Sequence, residues 1–74
     1  MIYPQTFPLS NDNIYEKEVY DALHRFAAAN TDYDVFFSRK FSGISRSEKI
    51  DYEIDFLIAD LRNQKLNGLC VIEV

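Results

Sequence analysis

Two acids sit inside apolar runs, where an ionised group is costly unless something replaces its water. Asp55 lies within Tyr52-Glu53-Ile54-Asp55-Phe56-Leu57-Ile58-Ala59-Asp60, and Glu73 within Gly68-Leu69-Cys70-Val71-Ile72-Glu73-Val74. Two readings are open. Either both acids reach water at strand ends, or they share a cation. Oxygen ligands from two carboxylates suit Mg2+ (or Mn2+), which keeps several of its waters and so leaves room for chemistry.

Bringing the acids together requires a particular hairpin. Both runs are rich in Ile, Leu, Val and Phe and have strand length. The segment between them, Leu61 to Asn67, ends in Asn-Gly, a turn signal, and so short a connection favours antiparallel strands. A hairpin folded symmetrically about Gln64 sets Asp60 opposite Gly68, Phe56 opposite Ile72 and Asp55 opposite Glu73. Opposed residues share a face, with Cβ atoms about 4.5–5.5 Å apart. Carboxylates that close repel, and one pKa rises unless a cation lies between them. A slip of one residue would send the acids to opposite faces.

Ahead of the hairpin, residues 1–12 read as an extended lead-in, because Pro4 and Pro8 restrict their own φ and turn the preceding residue away from helix. Tyr3 and Phe7 are expected to pack on the body. Residues 13–29 read as a helix capped by Asn13 or Asp12 and stopped at Asn30. Asn13-x-x-Glu16 has the form of a capping box, and Glu16, Val19, Tyr20, Leu23, Phe26 and Ala27 recur at the spacing of one buried face. Glu16 therefore has two readings: a capping acid favoured by the helix dipole, or a third acid aimed at Asp55 and Glu73. His24, the one histidine, lies at the edge of the buried face and is read as a packing residue.

Tyr33 to Phe41 reads as a first strand and residues 42–51 as a polar loop before the second. Arg39, Lys40, Arg46 and Lys49 cluster loosely around that loop. They form either a solvated surface or a set of phosphate contacts, since nucleic-acid backbones are held by scattered Lys and Arg. Both faces of the sheet are apolar apart from the acids, so both require cover. The helix is expected over Leu57, Leu69 and Val71, packed by Val19, Leu23 and Phe26. The other face is left for a downstream helix and further strands, or for another chain, so that an oligomer could form through the uncovered sheet. The sequence stops at Val74 inside an apolar strand, which reads as a truncation.

Composition bounds these readings. A chain of 74 residues makes one small domain or part of a larger one, and buries only about 60% of its unfolded surface. No apolar run approaches the roughly 20 residues that cross a bilayer, and no signal peptide is evident. The single cysteine, Cys70, excludes an internal disulfide and fits a reducing, cytoplasmic setting. Within its apolar run it is expected to be a small buried hydrophobe. A net charge of −4 argues against broad electrostatic binding of nucleic acid.

Residues 13–74 resemble a known family. The helix Glu16-Lys-Glu-Val19-Tyr20-Asp-Ala-Leu23, the strand Tyr33-Asp-Val35-Phe36-Phe37-Ser38, then Glu53-Ile54-Asp55-Phe56-Leu57-Ile58 and Gly68-Leu69-Cys-Val71-Ile72-Glu73-Val74 are similar to the nuclease-related domain (NERD). That domain is similar to restriction-endonuclease-like enzymes of the PD-(D/E)xK superfamily. The start Met1-Ile-Tyr-Pro4 resembles bacterial proteins in which this domain precedes a UvrD-like DNA helicase. The resemblance implies an α+β (α/β) fold, a truncated core with one helix on a three-stranded sheet. It implies DNA as partner, with a helicase domain following in the full protein. Asp55 would match the metal-binding acid of the second core strand, Glu73 the acid of the (D/E)xK element and Glu16 the acid of the first helix. Asp55, Glu73 and the Val74 carbonyl would hold Mg2+, which polarises a phosphate oxygen and lowers the pKa of a bound water. The family's Lys falls immediately after Val74, so cleavage by these residues alone is expected to be impaired. Two alternatives stand beside the nuclease: a non-catalytic module that binds DNA or protein, and a structural α+β fragment with solvated acids.

Overall fold

A computed structural model gives the fold, with the backbone described for residues 1–45 and 48–74 and the side chains for 1–38 and 53–74. The chain forms β1 (Ile2–Tyr3), α1 (Ile14–Ala29), β2 (Tyr33–Ser45), β3 (Glu48–Asp60), a short 3-10 turn (Arg62–Gln64) and β4 (Gly68–Ile72). This is an α+β fold: one helix on a mixed four-stranded sheet of order β1-β2-β3-β4. The fourth strand is the lead-in, whose Ile2 and Tyr3 pair in parallel with Val35 and Phe36. Two residues carry too little periodicity to announce a strand.

Local chemistry sets the helix ends. The Asn13 side chain accepts the N–H groups of Tyr15 and Glu16 at 3.0 and 3.1 Å, satisfying donors that have no partner inside the helix. At the other end, the backbone and side-chain N–H groups of Asn30 both donate to the Phe26 carbonyl at 2.9 Å.

The β2–β3 ladder runs from Tyr33↔Asp60 to Ser45↔Glu48. Most of segment 42–51, expected as a loop, is therefore strand: Ser42, Gly43 and Ile44 pair with Asp51, Ile50 and Lys49. Its Ser- and Gly-rich composition imitates a loop, yet pairing along an existing two-strand ladder overrides such local preference.

The core unites Ile2, Tyr20, Ala27, Val35, Phe37 and Phe56, with Val19, Leu23, Phe26, Ile58 and Ile72 packed against it. Phe37 and Phe56 oppose each other across β2–β3 with ring centroids 4.9 Å apart, and Phe7 closes over Phe37 and Tyr20. Val35 and Phe56 are completely buried, each gaining about 2–3 kcal/mol from removal of its apolar surface from water. The helix thus covers the Phe37/Phe56/Ile72 face. The expected cover of Leu57, Leu69 and Val71 is incorrect: Leu69 and Val71 are 59% and 50% exposed. Both faces are apolar, and the covered one is that on which Phe37 and Phe56 join Tyr20 and Ala27 of the helix in one buried cluster. Cys70, expected to be buried, is exposed on β4, because that edge strand extends past the helix cover. Among the described residues, no helix is long and apolar enough to cross a membrane.

Candidate metal centre

The register of the last hairpin fixes where Asp55 and Glu73 stand. Phe56 pairs with Ile72, Leu57 with Val71 and Asp60 with Gly68, the alignment expected from a fold symmetrical about Gln64. The turn is tied from within: the Asn67 side chain donates to the carbonyls of Arg62 and Lys65 at 2.7 and 3.0 Å. The Asn67 N–H donates to the Asp60 carbonyl at 2.8 Å. Arg62 clasps the Asp60 carboxylate at 2.8 Å, and this hydrogen bond holds the Asp60 pKa below its ordinary value.

β4 ends at Ile72, one residue before Glu73. Continued by one step, its register sets Glu73 across from Asp55. Alternation along β3 turns Asp55 away from Phe56 and hence away from the helix. One further contact ties the two segments: the Val74 N–H donates to Asp55 Oδ2 at 2.9 Å. Asp55 is half-buried and Glu73 exposed.

Glu16 is not brought to this place. It belongs to α1, which lies on the opposite face of the sheet. Its Oε2 accepts the Asn11 side-chain N–H at 2.8 Å, while Asn11 Oδ1 accepts the Asn13 N–H at 2.9 Å. Asn11 thus intervenes in the expected capping box, linking Glu16 to the cap at one remove. Among the described residues, no group of three His, Cys, Asp or Glu is placed to hold a metal ion. The side chains of Arg39, Lys40, Arg46 and Lys49 lie outside the described residues.

A residue that sequence reasoning missed is Ser38. The β2–β3 ladder pairs Phe37 with Phe56 and Arg39 with Ile54, and Ser38, between them, stands across from Asp55 with φ 56°. Left-handed backbone is uncommon for a residue with a side chain. Serine carries no signal of it, as glycine or asparagine would. Its Oγ lies 3.4 Å from Glu53 Oε1. The neighbourhood of Asp55 therefore gathers Ser38 from β2, Glu53 from β3 and the Val74 N–H from beyond β4.

No protein-family model matches the chain, and no curated protein or solved structure is significantly similar to it. What defines the chain is its own architecture: a small α+β domain with the helix on one sheet face and Asp55 on the other.

Proposed function

We propose that the chain is a metal-dependent, nuclease-related domain acting on DNA phosphodiesters, with Asp55 and Glu73 as its divalent-ion ligands. The observation that carries this reading is the Asp55–Val74 hydrogen bond of 2.9 Å, which holds residues 19 apart in sequence at one point of the face opposite the helix, beside Glu73. The donor set fits the ion. Asp55, Glu73 and the Val74 carbonyl supply hard oxygen ligands, few enough to leave coordination sites to water. A bound Mg2+ or Mn2+ supplies Lewis acidity and a more acidic water. Asp55, anchored by the Val74 N–H, and Glu73, from the neighbouring segment, would be the carboxylate ligands that hold the ion. DNA as substrate, the linked helicase domain and phosphate contacts by Arg39, Lys40, Arg46 and Lys49 rest on the resemblance and on the basic composition of 39–49. Glu16 enters this site only if α1 or its Asn11 contact rearranges, so two acids, not three, carry the proposal.

Calorimetric titration of Mn2+ tests it. Wild type should bind, and Asp55→Asn and Glu73→Gln should each weaken binding by roughly tenfold or more, the loss of one charged ligand. Equal heats in wild type and Asp55→Asn would sink the metal reading.

A further inference from the structure

We infer that the outer edge of β4 pairs with the same strand of a second copy, antiparallel and centred on Cys70. Backbone direction selects the groups that are free. The Leu61 N–H donates to the Asp32 carbonyl at 2.8 Å, so at this end of β3 the odd-numbered residues turn their backbone groups to β2. Alternation then turns Phe56, Ile58 and Asp60 to β4. Their partners Ile72, Cys70 and Gly68 turn back to β3, in step with the Val74 N–H. Leu69 and Val71 are left with their N–H and C=O groups pointing off the sheet. β4 is last in the strand order. Its residues Gly-Leu-Cys-Val-Ile include neither a charge nor a proline, the usual guards of an edge strand.

A row of backbone donors and acceptors is matched by another strand, and β4 is complementary to itself. With Cys70 on a two-fold axis, all 5 residues of the strand overlap. Leu69 then faces Val71 of the second copy on both sides of the axis, and each such pair exchanges two hydrogen bonds. The same pairs set apolar side chains beside one another. Leu69 and Val71 are 59% and 50% exposed in the single chain, so the pairing also removes apolar surface from water. Glu73 of each copy falls level with Asn67 of the other, and no like charges are opposed. The helix packs over β1 and β2, at the other side of the sheet, and leaves this edge clear. The pairing requires no ion, so the inference goes beyond the metal reading and does not depend on it.

The contact is small, so the dimer is weak and reversible. Amide hydrogen exchange of the full chain at about 10 μM and about 1 mM tests it, because mass action fills the dimer at the higher concentration. Exchange at Leu69 and Val71 should slow by roughly fivefold or more, while exchange at Cys70, bonded within the sheet, stays unchanged. Diamide, which takes two electrons and two protons from a pair of thiols, gives a second readout. The two Cys70 Cα atoms would lie about 4.5 Å apart, within disulfide reach, so diamide should link wild-type chains in pairs. Val71→Pro removes an outward N–H from each copy and spares the β3 ladder, and it should weaken the dimer at least roughly tenfold. Val71→Thr keeps the N–H and should leave the dimer in place. Circular dichroism checks that both variants are folded. Exchange at Leu69 and Val71 that ignores concentration would overturn the proposal, whatever the variants do. So would a dimer that survives in folded Val71→Pro, or one that Val71→Thr abolishes, since that result assigns the contact to side chains of the sheet face.

Discussion

The Asp55 carboxylate accepts the Val74 N–H at 2.9 Å, and this bond continues the β3–β4 pairing two residues beyond the last ladder pair, Phe56↔Ile72. A side chain here does what a backbone carbonyl does elsewhere in the sheet. A hydrogen bond to a charged acceptor contributes about 1.5–3 kcal/mol at best, less where water competes.

Asp55→Ala should therefore loosen the end of β4. The expected loss is about 1 kcal/mol, at the lower end because Asp55 is only half-buried. Amide hydrogen exchange at Val74 should accelerate, while Val35 and Phe56, in the core, keep their protection. An unchanged exchange rate at Val74 would show that the bond does not persist in solution.

Glu16 separates structural from metal-binding roles. Its partner is Asn11, and Asn13 caps the helix that carries it. Asn13→Ala should cost about 1 kcal/mol, the usual loss for an N-cap. Glu16→Gln keeps an oxygen for Asn11 and should lower stability by less than that, with Mn2+ affinity unchanged. A fall in Mn2+ affinity in Glu16→Gln, at constant stability, would return Glu16 to the site.

Much of this was legible from residue pattern, and the failures have physical causes. The hairpin register followed from the short connection ending in Asn67-Gly68 and its symmetry about Gln64, with alternation excluding a slip of one residue. The helix followed from Asn13 and the spacing of Tyr20, Leu23 and Ala27. The face it covers was not legible, since Leu57, Leu69 and Val71 are as apolar as Phe56 and Ile72. Each face also carries two aromatic rings, Phe37 and Phe56 on one and Tyr3 and Phe36 on the other, so neither apolar nor aromatic content chooses between them. Asn11, which intercepts Glu16, belongs to a segment whose local pattern reads only as loop. The left-handed φ of Ser38 is signalled by nothing in its residue type.

Tyr20 gives the fold an alkaline limit. Its hydroxyl donates to the Pro4 carbonyl at 2.7 Å, and burial, aided by the nearby Asp21 charge, raises its pKa above the ordinary 10.0. The folded state thus holds this proton more tightly than the unfolded state. Its stabilising effect is complete below pH 10.0 and is lost as pH rises through the higher folded value. Tyr20→Phe should cost about 1 kcal/mol near neutrality through the lost hydrogen bond. It should also lose less stability than wild type between about pH 8 and about pH 11. Parallel urea unfolding at the two pH values measures both effects, and identical pH dependence in the two proteins would exclude Tyr20 as the titrating group.

The turn after β3 offers a gain instead of a loss. Asn63 and Gln64 both have φ 60°, but the two residues differ in tolerance. Asparagine can bond locally in this conformation, whereas glutamine bears the penalty of a Cβ close to its own carbonyl, about 1–2 kcal/mol. Glycine removes that penalty and returns about half of it through the greater freedom of the unfolded chain. Gln64→Gly should therefore stabilise the protein by about 0.5–1 kcal/mol, a rise of several degrees in Tm for a domain of this size. Asn63→Gly should be close to neutral. Because Asn67 holds the loop through Arg62 and Lys65, neither change should alter the β3–β4 register, and cross-strand contacts between Phe56 and Ile72 in NMR spectra should persist. Destabilisation by Gln64→Gly would mean that the residue is not left-handed in solution.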